Sequence, residues 1–207
     1  MLKRAFDMAC SFCGLVVLSP FLAVAAVLVK IDSKGPAFFL QERIGRNFRS
    51  FRIIKFRTMA VGLEKAGSLV TVGGDERVTR VGRFLRKYKI DELPQLINVL
   101  KGDMSLVGPR PEVKKYVELF RSDYERLLTV RPGITDPASL RYSDEEGLLS
   151  LSEKWEEDYI GRILPEKIRL SSAYVDNRGF VTDIKLIFKT ILRTSWRDMT
   201  HPRENLL

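Results

Sequence analysis

KYKIDELPQLINVLKGDMSLVGPRP, residues 87–111, gathers two adjacent carboxylates, a helix start and an arginine between prolines into one short run. Leu93, Leu96, Ile97 and Leu100 stand at i, i+3, i+4 and i+7, so they mark one apolar, core-facing side of a short helix. Pro94 falls in its first turn and Gly102 just past its last, where helices start and stop. Asp91 and Glu92 then sit at the helix N-terminus, where the macrodipole and unpaired N–H groups favour an ionised carboxylate. A carboxylate there can cap the helix, attack an electrophile or hold a cation, and position alone does not choose.

The 207 residues suffice for one well-buried domain, and no internal repeat or low-complexity linker divides them. Lys and Arg number 35 against 26 Asp and Glu, a formal charge of +9 that suits phosphate-rich partners: nucleic acid, anionic lipid or a nucleotide sugar. Cys10 and Cys13 have the spacing of half a metal site, but no second pair exists and the only histidine is His201. They read as small apolar filler.

Upstream, Met8 to Val29 carries no charged residue. At about 1.5 Å per residue this run reaches roughly 33 Å, enough for a hydrocarbon core. Eleven of its residues are Leu, Val or Phe, favouring insertion by about 3–7 kcal/mol. A cleaved signal peptide fits the basic Lys3-Arg4 start, but the chain downstream of the run reads as cytosolic. A spanning anchor is the stronger rival. Against it stands Ser19-Pro20 in mid-run, because proline removes a backbone hydrogen bond and kinks or breaks a helix. Lys3 and Arg4 before the run and Lys30 and Lys34 after it put positive charge on both flanks, which favours a re-entrant hairpin with both ends at the cytoplasmic face. The Ser19 hydroxyl is placed to satisfy a carbonyl freed by Pro20.

Between this segment and the carboxylates, FFLQERI and FRSFRIIKFRTM flank Gly45-Arg46-Asn47 and read as a β-hairpin over Phe38–Met59. Arg52, Lys55 and Arg57 ride on its second run. Residues 64–75 read as a flexible loop, without the Lys-Ser/Thr of a phosphate loop. Arg77, Arg80, Arg83 and Arg86 recur every three residues, which on a helix makes a broad basic stripe leading into Asp91-Glu92. That is either a solvated face or what a diphosphate requires. Arg110, fixed between Pro109 and Pro111, reads either as part of a structural turn or as the best phosphate clamp in the chain.

Downstream, Glu112 to Leu128 spaces Val113, Tyr116, Val117, Phe120, Tyr124, Leu127 and Leu128 as one core helix. RPGIT comes next as a turn, Asp103 and Ser105 serve only local hydrogen bonding, and Asp144-Glu145-Glu146 reads as solvated loop. Phe180 to Trp196 is amphipathic and suits the membrane interface, with Trp196 as anchor, although core packing explains it almost as well. The fold expected is α+β: a small mixed domain over residues 35–207 with a re-entrant membrane helix over 1–34 and interfacial amphipathic helices.

The strings IDELPQLINVLKGDMSLVGPRP (residues 90–111) and RPGIT (residues 131–135) resemble those of the bacterial sugar transferases, the monotopic phosphoglycosyl transferases. The resemblance runs from Lys3 to about Arg193. It implies transfer of a phosphosugar from a UDP-sugar to undecaprenyl phosphate, with release of UMP, as the first membrane step of a surface glycan such as an exopolysaccharide, lipopolysaccharide or capsule. It further implies that Asp91 is the nucleophile forming a covalent phosphosugar adduct and that Glu92 holds Mg²⁺. The Ser-Pro break of the family's membrane helix matches Ser19 and Pro20, and a family segment near the active site matches Lys55 and Arg57. Asp136 to Ser139 departs from a Gly-Leu-Ala-Gln run common in the family, which leaves the sugar open; Arg141 is a candidate contact there. The implied location is the cytoplasmic face of a bacterial inner membrane, with membrane lipid but no nucleic acid as partner and a homodimer left open. A membrane-tethered binder of nucleic acid or anionic lipid, and an inactive scaffold of glycan assembly, are the competing functions.

Overall fold

The computed structural model describes residues 2–61 and 75–196, with side chains to 192. The loop expected over 64–75 falls almost wholly outside the described residues, as do His201 and the Trp196 side chain.

Helix α1 (Leu2–Asp32) runs unbroken through Pro20. The carbonyl that Pro20 leaves without an amide partner is that of Val16, and Ser19 Oγ donates to it at 2.8 Å, so the dipeptide carries its own repair. One stripe of α1 meets the rest of the protein. Near its start, Arg4 donates to the Val99 and Leu100 carbonyls at 2.7 and 3.2 Å, and buried Asp7 accepts from Ser105 Oγ at 2.7 Å. Midway, Gly14 faces Leu96. Near its end, Ala25 and Val29 pack with Phe56 and Leu85, and Asp32 accepts from the Val81 amide at 2.9 Å. The opposite stripe, including Phe12, Val17, Val24 and Ile31, is exposed. Cys10 and Cys13 are exposed on it too, not filler in a core.

Strands β1 (Phe38–Ile44) and β2 (Ser50–Phe56) form the expected antiparallel hairpin, Phe38 opposite Phe56 and Ile44 opposite Ser50, joined by a 3₁₀ turn at Arg46–Phe48. Helix α2 (Arg80–Lys87) comes next, with Thr79 Oγ1 capping the Gly82 amide at 3.0 Å. Arg77 therefore precedes the helix, and the basic stripe is shorter than its spacing predicts. A Cβ on Gly82 would lie 2.2 Å from the Thr58 carbonyl oxygen, so only glycine lets α2 seat this close to the end of the hairpin.

A 3₁₀ turn (Ile90–Glu92) leads into α3 (Gln95–Lys101), which Gly102 ends at φ 93°. Its inward face differs from the leucine reading: Gln95, Asn98 and Val99 are buried, while Leu93, Leu96, Ile97 and Leu100 are half-buried. The reason is Asn98, which accepts from the Ile54 amide at 3.0 Å and donates to the Arg52 carbonyl at 2.8 Å, attaching α3 to the free edge of β2. Leu96 instead faces Gly14 of α1.

Beyond it, β3 (Ser105–Val107) pairs in parallel with β4 (Gly133–Thr135), so the GIT of RPGIT is a strand and not a turn. The expected core helix is two, α4 (Lys114–Leu119) and α5 (Arg121–Leu127), broken at Phe120. Their Tyr116, Val117, Tyr124 and Leu127 are buried in the main core with residues of α9 (Leu164–Asp176). Between them lie α6 (Pro137–Arg141), α7 (Glu145–Leu149), α8 (Trp155–Asp158) and a π turn (Tyr159–Ile163). Helix α10 (Phe180–Trp196) buries Asp183 and Leu186 while Phe188, Ile191 and Leu192 stay exposed. The Phe180 ring meets Phe6 of α1 edge-on at 5.2 Å.

Candidate active site

The 3₁₀ turn between α2 and α3 presents Asp91 and Glu92 to different surroundings. Glu92 is clamped: Lys55, from β2, donates to Oε1 at 2.9 Å, and Arg110 donates to Oε2 at 3.0 Å through Nη1 and to Oε1 through Nη2. Two cations that lie 37 residues before and 18 after the carboxylate in sequence thus converge on it. Burial alone would raise the Glu92 carboxyl, but Arg110 and Lys55 outweigh it and hold the group well below the ordinary range. Burial also draws the Lys55 ammonium below its usual value, against the pull of Glu92.

Asp91 is only 8% exposed, and its Oδ1 has no hydrogen-bond partner among the described residues. Burial, reinforced by the neighbouring Glu92 charge, raises its carboxyl to about 6. Side by side stand a carboxylate held ionised by two cations and a desolvated one whose oxygen is bare. Such a separation of environments is how proteins divide two tasks between two like groups. Near neutral pH Asp91 remains mostly ionised, and a poorly solvated carboxylate is a stronger nucleophile than one surrounded by donors.

The other cations predicted for this site divide. Arg57 lies at the end of β2, but its guanidinium donates to the carbonyls of Val29 and Ser33 at 3.2 and 2.8 Å, and to that of Lys34. It caps the C-terminus of α1, a structural duty that replaces the expected phosphate contact. Arg77 folds onto Asp75, its Nε 2.9 Å from both carboxylate oxygens. Arg86 donates to Thr58 Oγ1 at 2.8 Å and to Glu146 at 3.0 Å, and its charge reaches Asp91. Arg80 and Arg83 project exposed from α2. Arg141 is exposed at the end of α6, where its charge acts on Tyr142 and Glu166.

Asp136 is fully buried; it caps α6 through the Ser139 amide at 2.8 Å and accepts from Ser171 Oγ at 2.6 Å. Behind Arg110 lies a buried network not foreseen in the sequence. Glu112 accepts from Tyr159 Oη at 2.9 Å, and Lys167 joins Glu145 at 2.7 Å and Tyr159 Oη at 3.2 Å. Burial by itself would raise Glu112, but Lys167 and Arg43 hold it low. The acidic run at 144–146 is therefore no solvated loop: Glu145 and Glu146 pair with Lys167 and Arg86. Only the position of Glu112 directly after Pro-Arg-Pro marked it in the sequence; Tyr159 and Lys167 carried no signal.

Among the described residues no cluster of three or more His, Cys, Asp or Glu side chains is preformed for a metal. A hard cation such as Mg²⁺ needs only one or two carboxylates when waters and substrate phosphates complete its shell; Glu92 would supply one once Lys55 and Arg110, which engage both its oxygens, turn to substrate phosphates.

A family model described as bacterial sugar transferase matches residues 1–197. The UDP-N-acetylgalactosamine-undecaprenyl-phosphate N-acetylgalactosaminephosphotransferase of Aeromonas hydrophila is 39% identical over 193 residues, 92% of this chain and 43% of that protein. The exopolysaccharide production protein PSS of Rhizobium leguminosarum bv. phaseoli is 39% identical over 204 residues, 93% of this chain and 94% of its own. The undecaprenyl-phosphate glucose phosphotransferase of Komagataeibacter xylinus is 39% identical over 198 residues, 92% of this chain but 35% of the relative. The chain thus spans less than half of two of these relatives and nearly all of the third.

Proposed function

The chain belongs to the bacterial sugar transferase family, and from that premise we propose that it transfers a sugar phosphate from a UDP-sugar to undecaprenyl phosphate, the opening membrane step of an exopolysaccharide or related surface glycan. The observation that carries the mechanism is the unequal carboxylate pair. Asp91 Oδ1, buried and without a hydrogen-bond partner, attacks the sugar-bearing phosphorus. The bond to the bridging oxygen breaks, and UMP leaves with its electron pair. A phosphate oxygen of undecaprenyl phosphate then attacks the same phosphorus, expels Asp91 and forms the polyprenyl diphosphosugar. Arg110 and Lys55, paired on Glu92, stand where they can turn toward non-bridging oxygens as charge redistributes. Glu92, with substrate phosphates, would hold Mg²⁺, which supplies neutralisation of the diphosphate.

Helix α1 is the membrane element of this reading. It is long and apolar enough to cross a bilayer, yet both its ends are tied to the same domain, Arg4 to α3 and Asp32 to α2. A spanning α1 would draw α2 and α3, with their charges, into hydrocarbon. We therefore place both ends at the cytoplasmic face of the inner membrane, with the exposed apolar sides of α1 and α10 in lipid.

The test is UMP release by detergent-solubilised protein with Mg²⁺ and undecaprenyl phosphate across a panel of UDP-sugars, beside Asp91→Asn. One sugar giving UMP, and a variant giving neither UMP nor adduct, is the expected result. A covalent adduct that persists in Asp91→Asn would refute the assigned nucleophile.

A further inference from the structure

Between the second half of α1 and helix α2 lies an apolar cleft of about 320 Å³, within the size range of small-ligand sites. Phe21, Val24 and Leu28 form its α1 wall, Phe84 and Leu85 its α2 wall, and among the described residues Arg80 is the one charged residue lining it. Phe21, Val24, Leu28 and Phe84 are all between 45 and 57% exposed, so the cleft opens to the surroundings of the apolar stripe of α1. Arg80 is exposed and carries no side-chain hydrogen bond or ion pair among the described residues, unlike Arg57, Arg77 and Arg86. Arg83, one turn on, is likewise exposed. The floor leads to the carboxylates: Leu85 packs with Ala25 and Phe56 in a cluster that includes Ile90, the residue before Asp91.

We propose that this cleft seats the phosphate-proximal isoprene units of the polyprenyl phosphate acceptor as it enters from the membrane, with Arg80 at the cleft edge as the counterion of its phosphate. Apolar walls with a single free guanidinium at the edge match a hydrocarbon chain ending in one phosphate. Headless hydrocarbon leaves Arg80 without a counterion, and a nucleotide sugar has no apolar portion for the walls. The inference rests on the transfer reaction proposed above and adds where its second substrate enters.

The two half-reactions separate the claims. UMP release without acceptor reads only the donor side, whereas turnover against undecaprenyl phosphate concentration reads the cleft. Val24→Trp fills the cleft from an exposed position and leaves the buried core unchanged; Arg80→Ala removes the charge. Each is expected to raise the KM for undecaprenyl phosphate about tenfold while the acceptor-free UMP burst keeps its wild-type size. Arg80→Lys should restore part of the loss. Val17→Trp, on the exposed stripe of α1 but outside the cleft, controls for altered membrane seating and should change neither quantity. An unchanged acceptor KM in both Val24→Trp and Arg80→Ala overturns the proposal, as does an equal rise in Val17→Trp. A wild type that releases no UMP from any UDP-sugar removes instead the reaction on which the cleft's role depends.

Discussion

Asp91 and Glu92 are chemically alike and adjacent, yet their neighbours separate them: two cations on Glu92, and low solvent access with a bare oxygen on Asp91. With the Asp91 carboxyl raised to about 6, the rate of UMP release should fall on the acid side with a midpoint near pH 6. Glu92→Gln removes the like charge that helps raise Asp91, so the acid limb of its residual activity should move to lower pH. Stability takes the opposite course. The folded protein binds the Asp91 proton more tightly than the unfolded chain, so ionised Asp91 destabilises the fold, fully above about pH 6, and the cost disappears as pH falls below the ordinary carboxylate value of 3.8. Asp91→Asn should accordingly raise the melting temperature at pH 7.5, by on the order of 2–3 kcal/mol in stability, and lose that advantage near pH 4. A variant no more stable than wild type at pH 7.5 would mean that Asp91 is better solvated than its burial indicates.

Single contacts seat whole elements here. Asn98 stands in for a strand neighbour along β2, and Asn98→Leu leaves the Ile54 amide and the Arg52 carbonyl without partners. The expected loss is about 1–3 kcal/mol for each group, seen as a lower melting temperature together with a reduced UMP burst, because α3 comes directly after the Asp91-Glu92 turn. Gly82→Ala sets a methyl against the Thr58 carbonyl and should cost about 1–3 kcal/mol by overpacking. Within α1, Ser19 repairs the carbonyl that Pro20 frees. Ser19→Ala should therefore destabilise the detergent-solubilised protein by about 1–2 kcal/mol, whereas in a Pro20→Leu background, with the amide restored, the same change should cost nothing. Equal costs in both backgrounds would detach the serine from the proline.

At the scale of the molecule, the exposed apolar stripe of α1 and that of α10 meet at Phe6 and Phe180, while the two ends of α1 stay bound to α3 and α2. That arrangement predicts a topology. With Cys10 and Cys13 replaced by serine, single cysteines at Leu2 and at Lys34 should both resist a membrane-impermeant maleimide in intact cells and both react after permeabilisation. One position labelled from each side would show that α1 spans.

The run from 87 to 111 was enough to locate the carboxylate pair and its arginine, because a helix start, prolines and acidic residues are local chemistry written in consecutive positions. The hairpin and the apolar helix were legible for the same reason: their periodicity and their Gly or Pro punctuation are local. What the sequence could not specify is which cations reach Glu92. Four evenly spaced arginines looked like the phosphate stripe, yet Arg77 and Arg86 are taken by Asp75, Thr58 and Glu146, and Arg57 by the end of α1. Lys55 and Arg110 are the two that reach Glu92. Likewise the inward face of α3 is set by Asn98 against β2, not by its leucines. Periodicity reports which side of an element is apolar; only the packing of distant segments, through burial and the pairing of charges that burial enforces, decides what that side and those charges meet.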